Sequence, residues 1–67
     1  MTRQQAACLQ FVDRFNKRFG FSPSFQEIAE GIGLQSKSGV SRLIYALEAM
    51  EKIKRHAHRA RSIEVLA

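Results

Sequence analysis

The fold of this chain is decided by one stretch of its sequence, Ser36-Lys37-Ser38-Gly39-Val40-Ser41-Arg42-Leu43-Ile44. Apolar residues recur here and just beyond at three- and four-residue intervals, which predicts a helix with one side facing a core; they are Val40, Leu43, Ile44, Leu47 and Met50. The opposite side carries Ser38, Ser41, Arg42 and Tyr45. Exposed helix faces usually mix Glu with Lys, but no acidic residue occurs between Glu30 and Glu48. This face therefore favours close approach to a polyanion.

Two further helices are predicted before this stretch. Thr2 and Gln5 match a capping box, and Gly20 supplies a stop, so a first helix is expected from about Arg3 to Phe19. Its predicted buried stripe consists of Cys8, Phe11, Val12, Phe15 and Phe19. Ser24 and Glu27 form a second capping box, which opens a short helix ending around residues 31–33.

Ser36 is the expected N-cap of the third helix, which continues to about Met50 or Glu51. Two helices joined by a tight turn containing glycine are typical of a helix-turn-helix. A plain three-helix bundle would also show two apolar stripes and a glycine turn, so that alternative stays open on this pattern alone.

The hydrophobic period changes after the third helix. Residues 53–56 and 62–66 alternate apolar and polar side chains, as half-buried strands do, with a basic connection at residues 57–61. The expected fold class is α+β, a winged helix-turn-helix of three helices followed by a two-stranded β-hairpin wing. We expect one domain spanning residues 1–67.

The charge of the chain points to a nucleic acid. The sequence has 67 residues and a formal net charge of +5. Five cations lie within ten residues that contain no acid: Lys52, Lys54, Arg55, Arg59 and Arg61. Such a cluster is typical of nucleic-acid binding. An anionic membrane would also attract it, but no Lys-rich amphipathic helix with bulky anchors accompanies the cluster. With no membrane span or signal peptide in the sequence, we expect a cytoplasmic protein.

Other chemistries find little support in the sequence. Cys8 is the single cysteine and is expected to be a buried small hydrophobe, with redox sensing as the minor alternative. His56 and His58 lack further ligands for a metal site. The serines have no general base in a catalytic arrangement. We expect no enzymatic activity, no cofactor, no bound metal and no small-molecule substrate.

The candidate site residues fall into two groups. The start of helix three would enter the major groove with Ser38, Gly39, Ser41, Arg42 and Tyr45 on the facing side, and Arg42 would suit guanine. Ser36 and Lys37, beside free N–H groups, would suit a phosphate. Gly39 either permits close backbone approach or tolerates crowding by another helix. The second group is the basic hairpin, with Lys54, Arg55, Arg59 and Arg61, which either holds the DNA backbone or forms a solvated face.

With these motifs in place, the chain resembles the DNA-binding domain of the LexA repressor family, most closely its alphaproteobacterial branch. The resemblance is carried by segments at 2–5, 22–25, 36–40, 42–44, 46–48, 59–61 and 64–65. It implies operator binding as a transcriptional repressor. It also implies base reading by Ser36, Ser38, Gly39, Ser41 and Arg42, and wing contacts around Arg59 and Arg61.

Two departures from the family pattern bear on these expectations. The family usually has a glycine after helix three and then an aromatic or aliphatic residue, where this chain has Glu51 and Lys52. The family's second domain carries the self-cleavage serine and lysine and most of the dimer interface, and the sequence stops at Ala67. We therefore do not expect self-cleavage, and the chain is either an excised domain or a short regulator.

The main hypothesis is a sequence-specific repressor on double-stranded DNA, with helix three in the major groove and the wing on the backbone. A palindromic operator and a homodimer, at least on DNA, are expected because a monomer contacts one half-site. The alternative is a winged-helix protein-interaction module with a basic face, free-standing or encoded by a mobile element. RNA binding ranks third, since Tyr45 is the one candidate for base stacking.

Overall fold

Three helices and a two-stranded antiparallel sheet make up the structure, a computed structural model that describes residues 1–55 and 63–66. The helices are α1 (Arg3–Phe19), α2 (Phe25–Ile32) and α3 (Lys37–Ala49). The strands are β1 (Ile53–Arg55) and β2 (Ile63–Val65). The predicted winged helix-turn-helix of the α+β class is confirmed.

The helices begin and end where their capping residues predict. Thr2 caps α1 and Ser24 caps α2, and each forms a reciprocal capping box with the glutamine or glutamate three residues later. Gly20 and Gly33 close these helices in the left-handed conformation, with φ of 78° and 79°. Because glycine has no Cβ, it takes this conformation without the steric penalty of other residues.

The core lies where the three helices and the hairpin meet. Among residues 1–55 and 63–66 it contains ten buried side chains, contributed by every helix and strand: Cys8, Val12, Ile28, Ala29, Val40, Leu43, Ile44, Leu47, Ile53 and Ile63. Phe11, Phe25 and Leu34 pack against it while remaining partly exposed. The expected burial of Cys8 is confirmed, and so is the apolar side of α3 from Val40 to Leu47.

Two residues predicted for the core lie at the surface instead. Phe19 is 50% exposed, because it ends α1 and stacks on Phe15 and Phe21 outside the helix junction, with ring centroids 4.5 and 6.1 Å away. Met50 is 38% exposed, because it is the C-cap of α3 and the helical period no longer sets its direction. Both predictions extended a helical stripe one position too far.

The chain leaves α3 through an unusual residue, Glu51, whose φ is 59°. The Glu51 amide donates to the Glu48 carbonyl oxygen and the Lys52 amide to that of Leu47, both at 2.9 Å. This pair of bonds is the Schellman arrangement, in which glycine is the usual left-handed residue. The sequence departure at Glu51 thus changes the residue and leaves the turn in place.

The strands pair over three residues each, Ile53 with Val65, Lys54 with Glu64 and Arg55 with Ile63. The Leu66 amide donates to the Lys52 carbonyl oxygen at 2.8 Å, which ties the end of β2 to the exit of α3. Ile53 and Ile63 point into the core, so the base of the hairpin is fixed to the helices. The predicted positions 56 and 62, and the connection 57–61, lie outside the described residues.

Candidate nucleic-acid interface

The turn between α2 and α3 sets the position of the start of α3, where the candidate site lies. Residues 33–36 join the two helices, and the left-handed Gly33 reverses the chain direction. The Leu34 amide donates to the Ala29 carbonyl oxygen at 2.8 Å, which closes the end of α2. Leu34 packs against the core, so this turn is held from inside. It is a short glycine-containing connection of the helix-turn-helix kind.

The first turn of α3 presents hydroxyls and free amides to solvent. The Ser36 Oγ accepts a hydrogen bond from the Gly39 amide at 3.4 Å and lies 3.0 Å from the Ser38 Oγ. Ser36, Lys37 and Ser38 are all exposed, and the first turn carries no acidic residue. Amides at a helix start lack intrahelical partners and carry partial positive charge, which is a favourable environment for an anion.

The outer face of α3 continues this surface. Ser41 and Arg42 are exposed, and Tyr45 is 72% exposed. The Tyr45 ring is therefore accessible to a ligand. The Arg42 guanidinium makes no hydrogen bond or ion pair with any residue in the described part of the chain. None of the five Arg42 donors is therefore used by residues 1–55 or 63–66.

Gly39 has room for a larger residue in the folded chain. A Cβ built there meets the Leu34 Cδ1 at 3.4 Å and the Ser36 Oγ at 3.9 Å, both ordinary contacts. Neither neighbour belongs to another helix, so the crowding interpretation is wrong. The close contact is at Gly31 instead, where a Cβ would overlap the Phe11 ring.

The hairpin brings two of its candidate cations beside the helices. Lys54 and Arg55 are both exposed. The Arg55 guanidinium carbon lies 5.6 Å from the centroid of the Phe25 ring, a cation–π distance, and its backbone amide donates to the Glu48 Oε2 at 3.4 Å. Arg55 is therefore partly held by the protein itself. The other two hairpin candidates, Arg59 and Arg61, fall in the segment that the structure does not describe.

Sequence reasoning missed the side chains that attach the hairpin to the helices. Ser22 is 3% exposed, and its Oγ bonds both the amide and the carbonyl of Ile63, at 2.9 and 2.6 Å. The Asn16 amide group donates to the same carbonyl at 3.4 Å. These partners are 41 and 47 positions apart, so no local spacing could have revealed them.

Residues 1–55 and 63–66 contain no group of three or more potential metal ligands. None of the three helices in these ranges could span a membrane. His56 and His58 lie outside the described residues. Ser36 caps α3, and Ser38 and Ser41 present exposed hydroxyls.

The chain is similar to known proteins along its whole length. Residues 1–62 match the family described as the LexA DNA binding domain. Over 66 residues, 98% of this chain, it is 52% identical to the LexA repressor of Gluconacetobacter diazotrophicus and 50% identical to that of Acidiphilium cryptum. The matched region is 26% and 29% of those two proteins. The chain thus spans about a quarter of the length of the relatives it matches.

Proposed function

Because the chain belongs to the family of LexA DNA-binding domains, we propose that it represses transcription by occupying a specific operator in double-stranded DNA. The observation that carries this proposal is the first two turns of α3. They combine exposed hydroxyls beside the amides of a helix start, an arginine with no hydrogen bond or ion pair to residues 1–55 or 63–66, and no acid in the first turn. This is the chemistry that a recognition helix needs in a major groove.

Base reading is assigned to the middle of this face. Arg42 would donate two hydrogen bonds to one guanine, while Ser38 and Ser41 supply short hydroxyls that meet either donors or acceptors. Gly39 would let the helix backbone approach the base edges. Tyr45, one turn beyond Arg42, would contact the sugar–phosphate backbone at the rim of the groove.

Phosphate binding is assigned to both sides of α3. At its start, Ser36 and Lys37 would bind one phosphate together with the free amides. At the hairpin, Lys54 and Arg55, with Arg59 and Arg61 from the connecting segment, would bind others. Contacts to phosphates set position and general affinity, whereas contacts to bases set sequence preference.

Occupancy of an operator calls for two copies of this domain. One helix-turn-helix reads one half-site, and dimers read two half-sites related by the symmetry of a palindrome. We therefore propose a homodimer, at least when bound to DNA.

Selection of bound sequences from a random duplex library tests the proposal directly. We expect a palindrome whose two halves lie about one helical turn apart. Affinity for it should fall steeply with salt and exceed affinity for a scrambled duplex. Equally weak binding to every duplex would contradict sequence-specific repression and would favour a protein-interaction module.

Two variants then separate the assigned roles. Arg42→Ala should relax base preference at one position, by about 1–3 kcal/mol of lost discrimination. Arg59→Ala should weaken binding to all duplexes about equally and reduce the salt slope by roughly 1. If both variants lose only non-specific affinity, the assignment of roles is wrong. Duplex titrations at several salt concentrations measure both quantities.

A further inference from the structure

One buried hydroxyl holds the hairpin against the helical part of the molecule. The Ser22 Oγ accepts from the Ile63 amide at 2.9 Å and lies 2.6 Å from the Ile63 carbonyl oxygen and 3.1 Å from the Asn16 Oδ1. A hydroxyl has a single proton, and the shorter contact assigns it to the Ile63 carbonyl. Because Ser22 is 3% exposed, bulk water has little access to these groups.

The neighbouring strand β1 also contacts the helices, at the residue that pairs with Ile63. Ile63 pairs with Arg55, whose amide donates to the Glu48 carboxylate at 3.4 Å and whose guanidinium lies over the Phe25 ring. Both members of this pair are thus bonded to side chains from the helices or the connection between α1 and α2. An isolated two-stranded hairpin is marginal in water, so these contacts, together with the buried Ile53 and Ile63, determine how the two strands are placed on the helices.

Two cations of the proposed DNA-binding surface, Lys54 and Arg55, lie on β1. Lys54 and Arg55 are exposed, and β1 follows α3 after a turn of three residues, 50–52. If β2 shifts at Ile63, its partner β1 shifts with it, and the spacing between these cations and α3 changes. Phosphates along a duplex lie at fixed intervals, so this spacing matters for simultaneous contact.

We propose that Ser22 is a positioning residue for DNA binding, whose hydroxyl fixes the hairpin so that Lys54 and Arg55 reach phosphates while α3 occupies the groove. This inference rests on the proposed function. Ser22 itself touches no DNA in this arrangement and acts through Ile63 and its strand partner.

The test compares the wild-type chain with Ser22→Ala and Ser22→Thr on the selected operator over a series of salt concentrations. Each lost phosphate contact should weaken binding about 10-fold at roughly 0.1 M salt and lower the salt slope by about 1. Ser22→Ala should show this loss while keeping its base preference, and the Ile63 amide should exchange its hydrogen faster. Ser22→Thr keeps the hydroxyl and should restore the wild-type slope.

A matched control separates positioning from stability. Ile28→Val removes one methyl group from a buried α2 residue and leaves the Ser22–Ile63 hydrogen bonds in place; it should lower stability but leave the salt slope unchanged. A wild-type slope and affinity in folded Ser22→Ala, or an equal loss of slope in Ile28→Val, would overturn the inference. A slope for Ser22→Thr as shallow as that for Ser22→Ala would do the same.

The test remains decisive if Ser22→Ala does not fold or if the wild-type chain prefers no DNA sequence. If Ser22→Ala does not fold, Asn16→Ala replaces it, because the Asn16 amide group donates to the same Ile63 carbonyl; an unchanged slope there overturns the inference. If the wild-type chain prefers no sequence, the proposed function fails. That failure is distinct, because hydrogen exchange at Ile63 reports the Ser22 contact without DNA.

Discussion

Glu51 adopts a backbone conformation that side chains rarely take. Its φ of 59° lies in the left-handed region, where a Cβ crowds the following carbonyl oxygen. The Schellman bonds of Glu51 and Lys52 to the last turn of α3 hold it there. The chain therefore stores strain at the joint between its proposed recognition helix and the hairpin.

Replacing Glu51 by glycine should relieve this strain. We expect Glu51→Gly to raise the free energy of unfolding by about 1 kcal/mol, since a left-handed residue with a Cβ costs about that much. Thermal unfolding measures the change. Glu51→Gln is the control, because it removes the charge but keeps the Cβ. If Gln stabilised as much as Gly, electrostatics at the helix end would be the cause and strain would not.

Two helical glycines should respond to alanine in opposite directions. Gly39→Ala should stabilise the chain by about 0.5–1 kcal/mol, because a methyl group fits there and alanine favours helix. Gly31→Ala should destabilise it by about 1–3 kcal/mol, because the methyl group overlaps the Phe11 ring. Both values come from denaturant unfolding.

Gly39→Ala also tests whether Gly39 faces the major groove. If Gly39 permits close approach to bases, Gly39→Ala should bind operator more weakly although it is more stable. Operator affinity equal to the wild type would show that the glycine does not face DNA. This variant is informative because its free energy of unfolding should rise while its operator affinity falls.

At the scale of a secondary-structure element, α3 is the helix whose start matters for DNA. Ser36 is its N-cap, and Asp is as good an N-cap as Ser. Ser36→Asp should therefore keep or slightly raise stability, helped by the helix dipole. Its charge should repel a phosphate at the same place, with operator affinity falling about 10-fold for one lost phosphate contact at roughly 0.1 M salt.

The first helix supplies the matched control for this change. Thr2 caps α1 with a side chain that accepts from the Gln5 amide, as Ser36 does with Gly39. Thr2→Asp adds the same charge to the chain and should leave operator affinity nearly unchanged. Equal losses in the two variants would mean that net charge alone governs binding. Titrations of both variants with the operator duplex at one salt concentration measure these affinities.

For the molecule as a whole, stability at high pH depends on a buried thiol. Burial raises the pKa of Cys8 to about 11, because the thiolate loses its hydration inside the core. In the unfolded chain the thiol titrates near its ordinary value of 9.0. Protons therefore leave the unfolded state first, and the free energy of unfolding should fall between pH 9 and about 11.

This decline should reach at most about 1.4 kcal/mol per pH unit from Cys8. Comparing Cys8→Ala with the wild type isolates it, since the two proteins differ at this residue alone. The variant should start less stable and lose stability less steeply above pH 9. Parallel curves would show that the thiol does not contribute. Denaturant unfolding at several pH values provides the curves.

The helices and the paired strands could be predicted from the sequence alone. Helix limits follow from caps and periods that act within four residues, such as Thr2 with Gln5 and Ser24 with Glu27. The buried side of α3 follows from the same short-range geometry. These features were predictable because each depends on neighbours along the chain. The exposed, acid-free face of α3 was also visible before the fold was known.

The contacts that join these helices and strands to one another could not be predicted from the sequence. The bonds of Ser22 to Ile63, the ring of Phe11 over Gly31 and the approach of Arg55 to Phe25 connect residues far apart in sequence. Their partners depend on the angles at which helices and strands pack, which no local pattern encodes. Sequence thus supplies the DNA-facing chemistry, and long-range packing sets the distances between its parts.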